Sequence, residues 1–325
     1  MKETIKRSYA RYKAKGYKYW YWAVDVHDVI FKGDYKVESA LNWVTNAKRA
    51  LKIINNIPDI KVILYTSTRQ DQTQKLIDKI KNETGLEVYA VNKNPDFDTD
   101  PQGLCEFNGK FCFDLMLDDK AGFDYSNGWE EVIDTLIDLN LGLPAFVSDD
   151  LAPQNKWVSL RKRTSKFADK QYDYIYSHED RCGGNIIAVL PYRKNKFGIR
   201  EYLFVREHNV LFGVNYTIIT GGVDAKTTDL KKIREQAILE LSEEAGIDSG
   251  VEFIRTFTSI KSNTNKYYLF TMQLSENNIA SSSSGDGSVD ELFTIKKWLT
   301  FDEALRLVND PIALAALLAV EYKYE

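Results

Sequence analysis

Hydrophobic and polar positions follow one repeating pattern in the first half of this 325-residue chain. Short apolar runs alternate with amphipathic stretches, as strands do when they alternate with helices. The predicted strands are YWYWAVDV (19–26), IKVILYT (60–66), LEVYAV (86–91) and FCFDLML (111–117), and the predicted helices lie near 38–55, 71–84 and 128–139. This order predicts an α/β domain in which helices cover both faces of a parallel sheet.

The pattern changes beyond about residue 145. Apolar runs with turn-like gaps now follow one another: GNIIAVLPY, EYLFV, YTIIT, VEFIRTF and YYLFTMQL. A glutamate-rich helix interrupts them, and helices near 301–308 and 311–322 close the chain, which predicts a mixed sheet flanked by helices. We therefore expect two domains, 1–145 and 167–325, joined by a connector at 146–166.

Composition narrows the classes of protein. With 44% hydrophobic and 28% charged residues the chain is typical of soluble proteins, and a net charge of −4 argues against general nucleic-acid binding. One local basic run, LRKRTSKFADK at 160–170, fits either a solvated connector or a phosphate or RNA contact. The low-complexity stretch SSSSGDGS (281–288) is typical of a surface loop.

The three cysteines and three histidines are scattered, so neither disulfides nor a zinc site is predicted. The N-terminus lacks the apolar core of a secretion signal, and no run reaches membrane-spanning length. We expect a cytoplasmic protein with no membrane partner; the sequence leaves its oligomeric state open.

Three glutamates stand on one face of a predicted helix. Glu240, Glu243 and Glu244 have the spacing i, i+3 and i+4, which stacks side chains on one side of an α-helix. A solvated acidic face is one interpretation. Since like charges at this spacing repel and hard divalent cations take oxygen ligands, the other is a site for Mg²⁺, or alternatively Mn²⁺.

The flanks of this helix resemble the Nudix box, with Gly221 and Gly222 after an apolar run and LELSEEAG at the helix end. The resemblance implies an α/β/α Nudix fold in which Glu240, Glu243 and Glu244 hold the metal, Glu240 and Glu243 take part in catalysis, and the glycine pair admits a pyrophosphate. Two features depart from the box. Leu239 stands where the family has Arg, and the first half is about three residues too long, which puts Lys231 in place of a Glu unless Asp229 or Asp224 substitutes.

Further residues follow from this resemblance. Family members recruit another acid from a later loop, for which we select Glu291 ahead of Asp290 and Asp286. Arg193 and Arg206 each follow an apolar strand and are candidates to bind substrate phosphates, or else are surface charges. The segments GNIIAVLPYR and EYLFVREHN resemble ADP-ribose pyrophosphatases, which implies a nucleoside diphosphate derivative as substrate.

Polar residues also follow the predicted strands of the first half: Asp25 and His27, then Thr66 and Ser67, then Asp118 and Asp119. In open parallel sheets ligands bind at the carboxyl ends of strands, although capping and turn formation are the common alternative roles. The segments AVDVHDVI, VILYTSTR, NGKFCFDLMLDD and DDKAGFD resemble the four motifs of the haloacid dehalogenase (HAD) superfamily, which implies a Rossmann-like sheet and phosphatase activity.

That resemblance assigns a role to each motif. Asp25 would be the nucleophile and a metal ligand, Thr66 would hold the phosphoryl group and Lys110 would neutralise it. Asp118, Asp119 and Asp124 would hold Mg²⁺ or its water shell. The family has a second Asp where this chain has His27, which can also transfer protons near neutral pH. Asp28 stands where the family usually has Gly.

The sequence thus leaves three functions open. The first is a bifunctional hydrolase that cleaves an ADP-ribose-like nucleotide in one domain and a phosphomonoester in the other. The second is an RNA 5′-end processing enzyme that uses the basic run. The third is a nucleotide-sensing protein with degenerate catalytic sites, which Leu239 and the stretched box favour.

Overall fold

The computed structural model of the chain describes residues 1–33, 41–97, 107, 111–143, 156–167, 170–209, 212–224, 226–259, 262–274, 292 and 294–324. The chain divides into two compact units, Met1–Ala145 and Phe146–Glu325. The first has a four-stranded parallel sheet and the second a seven-stranded mixed sheet. Both carry helices, so the predicted α/β fold class is confirmed.

The first sheet has the order β3-β2-β1-β4. Its strands are β1 (Trp20–Asp25), β2 (Ile60–Tyr65), β3 (Ala90–Val91) and β4 (Leu115–Leu117). Helices α3 (Gln70–Thr84) and α4 (Gly128–Asp138) lie where they are predicted. Helix α2 (Ala47–Asn55) ends as predicted but does not include residues 41–46, and the last two strands are shorter than predicted. β1 lies at the centre and is almost wholly buried, as expected for a parallel strand packed on both faces.

Helix α1 (Lys2–Lys15) is an element that the hydrophobic pattern does not predict. It buries only Ile5, Ser8 and Tyr12, so its apolar stripe is too thin to stand out among lysines and arginines. Ser8 is its anchor: the hydroxyl donates to Asp114 O (2.9 Å) and accepts from the indole N–H of Trp20 (2.9 Å). Pairing of buried polar groups, rather than hydrophobic area alone, therefore fixes this helix.

The second unit is a three-layer arrangement around the mixed sheet. The strands are β7 (Asn185–Lys194), β8 (Arg200–Asn209), β9 (Gly213–Thr217), β10 (Ile219–Gly222), β11 (Glu252–Thr258), β12 (Lys266–Leu274) and β13 (Ile295–Thr300). Alternate residues of β7 face opposite layers: Ile187 and Val189 pack with α5 (Leu230–Ala245), while Ala188 and Leu190 pack with α6 (Phe301–Leu307) and α7 (Pro311–Tyr324).

A separate hairpin precedes this sheet. β5 (Val158–Phe167) pairs antiparallel with β6 (Lys170–Glu179) in a two-stranded sheet. Most of the segment expected to be a connector, 146–166, lies outside the described residues or in β5. Most of the basic run at 160–170 therefore belongs to a strand pair. The hydrophobic pattern does not predict these strands because many of their side chains are polar and exposed.

Candidate functional site

Three carboxylates converge at the carboxyl end of the first sheet. Asp25 ends β1, and Asp118 and Asp119 directly follow β4, which pairs in parallel with β1 through Val24 and Leu117. One oxygen from each of the three lies within 4.8 Å of the others. Neighbouring parallel strands thus bring together residues more than ninety positions apart.

The negative charges of the three carboxylates repel one another. Burial, and then the neighbouring Asp118 and Asp119, raise the pKa of Asp25, although the Val26 N–H donates to its carboxylate at 2.7 Å. Asp118 is only 9% exposed and also caps a short 3₁₀ turn by accepting from the Lys120 and Ala121 N–H groups at 2.8 and 3.2 Å. The capping interpretation and the ligand interpretation therefore both apply to Asp118, and three anionic oxygens fit a divalent cation.

Thr66 lies in the segment after β2 and is 7% exposed. Its N–H donates to Asn92 Oδ1 at 2.8 Å, and the Asn92 amide donates back to Thr66 O at 2.6 Å. Asn92, which sequence reasoning missed, adopts a left-handed conformation (φ 52°) that suits Asn. His27 follows β1 and is half-buried.

Asp124, another predicted ligand, lies apart from this cluster. The Asp124 carboxylate accepts from the Ser126 hydroxyl and N–H at 2.6 and 2.9 Å, which lowers its pKa, and it is not a member of the three-carboxylate cluster. Lys110 lies outside the described residues. The family resemblance is the only basis for the role of Lys110.

Asp28, in the segment after β1, has a backbone conformation that favours glycine. Its φ is 59°, a conformation that glycine adopts without strain. The Asp28 carboxylate compensates by accepting from the Gly33 N–H at 2.7 Å, and a Cβ on Gly33 would lie 2.5 Å from that carboxylate. The loop after β1 is thus held in a glycine-like conformation by a local hydrogen bond.

In the second unit, Glu240 lies against the backbone of the glycine pair. A Cβ on Gly221 would stand 2.2 Å from Glu240 Oε1, so only glycine admits the carboxylate here. Gln236 donates to Glu240 Oε1 at 3.1 Å. Burial, and the charge of Glu243, raise the pKa of Glu240, whereas Gln236 and Arg181 act in the opposite direction.

The three glutamates do not form a closed cluster. Glu240 and Glu244 are half-buried and Glu243 is exposed. Within the described part of the chain, the one acid group that meets the 4.8 Å distance is Asp25, Asp118 and Asp119. The helix does place the glutamates on one side, but Glu240 turns toward the glycines, which a spacing argument cannot foresee.

Arg181 is the residue at the glycine pair that sequence reasoning missed. Its guanidinium nitrogens lie 3.1 and 3.3 Å from the position that a Gly222 Cβ would take. The pairing of β10 with β7 explains its position. Because Gly222 pairs with Ile186 near the start of β7, the turn that precedes β7 lies beside the glycines. Arg181 is exposed, and its charge lowers the pKa of Glu240.

Neither predicted phosphate-binding arginine lies beside the glycines. Arg193 contacts Glu201 (2.8 Å) and stacks on Trp298 (4.3 Å), six residues along β7 from the position paired with Gly221, or about 20 Å at strand spacing. Arg206 is 7% exposed and follows Phe204 by two positions, which places it on the sheet face opposite α5.

The segment between Gly222 and Glu240, which is longer than the resemblance predicts, contains the N-cap of α5. Asp229 caps α5 by accepting from the Lys231 N–H at 3.0 Å, which engages one oxygen of this candidate substitute ligand. Asp224 is exposed, and its charge raises the pKa of Glu240. Glu291, Asp290 and Asp286 all lie outside the described residues.

Fold and site together define an α/β protein with two candidate sites, a three-carboxylate cluster beside the first sheet and a half-buried glutamate against a glycine pair of the second. Among the described residues, no helix has the length and apolarity to cross a membrane. No protein-family model matches the sequence, and no curated protein matches it.

Solved structures do match part of the chain. The NUDIX domain of Shewanella oneidensis NrtR complexed with ADP ribose is 13% identical over 43% of this chain and 88% of its own, with a TM-score of 0.34. An ADP compounds hydrolase is 14% identical over 54% and 90%, with a TM-score of 0.40. A C. elegans Ap4A hydrolase is 18% identical over 43% and 98%, with a TM-score of 0.31.

Proposed function

We propose that the second unit is a Nudix-type pyrophosphohydrolase that depends on Mg²⁺, with Mn²⁺ as an alternative, and cleaves a nucleoside diphosphate derivative similar to ADP-ribose. The observation that carries the proposal is the contact between the Glu240 carboxylate and the bare backbone of Gly221. Such a contact places a carboxylate beside the end of β10, the segment that by the resemblance receives the pyrophosphate. It also explains why the chain has glycine at this position.

Each residue then has a chemical task. Glu240, Glu243 and Glu244 would hold the metal, which when bound polarises a phosphorus centre and activates water. Arg181 would bind phosphate oxygens through its planar fork of N–H donors. Gly221 and Gly222 allow the close approach of a diphosphate. Burial and the charge of Glu243 raise the pKa of Glu240, and a cation beside its carboxylate would offset both effects.

A mixed panel of substrates tests this function. We expect Mg²⁺-dependent release of nucleoside monophosphate from ADP-ribose, NAD, dinucleoside polyphosphates, nucleoside triphosphates or capped RNA, read by mass spectrometry. The Glu240→Gln protein serves as the matched control for contaminating hydrolases. Absence of metal-dependent turnover across the panel would leave the nucleotide-sensing function in its place.

We further propose a HAD-type phosphatase in the first unit, favoured by the convergence of Asp25, Asp118 and Asp119 at the carboxyl end of the sheet. These three residues would hold a divalent cation, whose charge would offset their mutual repulsion. Asp25 would attack the phosphorus and form an acyl phosphate while the ester oxygen leaves, and His27 would donate a proton to that oxygen. Thr66 would hold a phosphoryl oxygen. Hydrolysis of a phosphomonoester panel by the intact protein tests the proposal.

A further inference from the structure

The β5–β6 hairpin carries a stripe of arginine and aromatic side chains on one face. Residues of one parity along β5 share a face with their partners on β6, and the pairs are Arg161 with Tyr176 and Arg163 with Tyr174. The Arg163 guanidinium lies 5.6 Å from the Tyr176 ring centroid, which confirms that these side chains share a face. Trp157, two positions before Ser159, continues the stripe and is 43% exposed.

The opposite face of the hairpin has a different character. It carries Leu160 (80% exposed), Ile175 (64% exposed) and Lys162, whose ammonium pairs with Asp173 at 3.2 Å. Aromatic rings with adjacent guanidinium groups are therefore confined to one face. This asymmetry distinguishes a binding surface from a generally solvated basic run.

The stripe leads to the candidate pyrophosphate site. Arg181, which lies beside Gly222, places its guanidinium 5.5 Å from the centroid of the Trp157 ring. Lys156 lies over the same ring at 4.4 Å. From Trp157 to Arg163 is six residues, or about 20 Å of strand, which is room for several nucleotides.

We propose that this face, defined by Trp157, Arg161, Arg163, Tyr174 and Tyr176 and called here the hairpin stripe, binds single-stranded RNA and directs its 5′ end toward Gly222 and Glu240. Bases stack on aromatic rings regardless of sequence, while guanidinium groups neutralise the backbone. An RNA strand that begins with a nucleoside triphosphate has a phosphoanhydride at its 5′ end. RNA is therefore a suitable substrate for a site that cleaves such bonds. This inference rests on the proposed pyrophosphohydrolase function.

Charge on the hairpin supports a polyanionic partner. Its two strands contain five lysines and arginines against two acids, in a chain whose net charge is −4. Arg161 also pairs with Asp180, which leaves Arg163 as the stripe arginine best placed to contact a phosphate. Arg163 is exposed, and its guanidinium lies over the Tyr176 ring.

The test is equilibrium binding of a fluorescent 10-nucleotide RNA by the full chain, measured by anisotropy at several salt concentrations. We expect Arg163→Gln to weaken binding at least fivefold and to reduce the salt slope by about 0.7, the value for one lost phosphate contact with a single strand. Tyr174→Ala should also weaken binding. Lys162→Gln, which removes the same charge from the opposite face, should change affinity less than twofold.

Several results would overturn the inference. They are equal losses for Lys162→Gln and Arg163→Gln, undetectable binding, equal affinity for duplex RNA, or equal affinity for single-stranded DNA. Sedimentation showing that two copies bury the hairpin stripe against each other would also overturn it. Cleavage of ADP-ribose by the unsubstituted protein, measured separately, shows whether a failure concerns the stripe alone or the proposed function.

Discussion

At the residue scale, Glu240 combines partial burial with a negative charge. Because burial and Glu243 raise its pKa, ionisation of Glu240 costs folding free energy, and that cost grows as pH rises through the folded-state pKa. Glu240→Gln should therefore melt at the same temperature or slightly higher near pH 7. It should lose about a hundredfold in pyrophosphate cleavage, or about 2.7 kcal/mol of transition-state stabilisation.

Melting curves with and without Mg²⁺ accompany that measurement. A ligand that binds only the folded state raises the melting temperature, so Mg²⁺ should stabilise the unsubstituted protein and not Glu240→Gln. Full turnover in Glu240→Gln would remove this residue from the proposed site. Glu243→Gln, which changes an exposed ligand candidate, should lose activity with little change in melting temperature.

Gly221 provides a second, sharper prediction. Gly221→Ala would place a methyl group 2.2 Å from Glu240 Oε1, so the glutamate must move. Displacement of a catalytic group by about 1 Å can cost a hundredfold in rate, and we expect a loss of about that size with the fold retained, checked by turnover and circular dichroism.

Gly250→Ala is the matched control, because a Cβ there meets nothing within 4 Å. Its activity should equal that of the unsubstituted protein. Similar losses in both variants would mean that the Gly221 effect is not local to Glu240.

At the element scale, helix α1 depends on one polar anchor. Ser8→Ala removes the acceptor of the buried Trp20 indole N–H and one of two donors to Asp114 O, which keeps its bond from Arg11. We expect a loss of about 1–3 kcal/mol in unfolding free energy, measured by urea denaturation. Ser126→Ala, at an exposed turn hydroxyl, is a control for serine removal, and an equally large loss there would contradict the anchor role.

Strands and helices can be predicted where burial gives their apolar residues a continuous run or a regular spacing. β7, β8 and β12 are long apolar runs, and the sequence locates each within two residues or so at its start. β13 was missed because Lys296 and Lys297 interrupt its apolar pattern, and α1 because its buried stripe is thin. In both cases tertiary contacts override the local pattern.

Sites were predictable where topology is simple. Residues that follow parallel strands lie at the same end of the sheet, so Asp25, Asp118 and Asp119 are expected close together. The structure places them together. Arg181 could not be selected from sequence alone, since its place beside Gly222 depends on the register between β7 and β10. The sequence places Arg206 after a strand, whereas it lies within β8, two positions from Phe204 and on the face opposite α5.

At the scale of the whole molecule, the two candidate sites, at Asp25 and at Glu240, belong to different compact units. Asp25→Asn should abolish phosphomonoester hydrolysis and leave pyrophosphate cleavage intact, because a carboxamide does not form an acyl phosphate. Glu240→Gln should show the reverse pattern. Both activities are measured on both proteins. If Asp25→Asn retains full phosphatase turnover, Asp25 is not the nucleophile.

The strand order of the first sheet also governs when its acidic cluster can exist during synthesis. Central strand β1 pairs with β2 forty residues later, through Trp20 and Ile60, but with β4 only through Leu115 and its neighbours. Ribosomes add about 5–20 residues per second, so roughly 5–20 s separate the synthesis of Asp25 from that of Asp118 and Asp119. Until then the nascent chain has Asp25, the proposed nucleophile, without the other two carboxylates of the cluster. A chain stalled before residue 118 should therefore have one aspartate of the cluster, and a chain stalled after the first unit is complete should have all three.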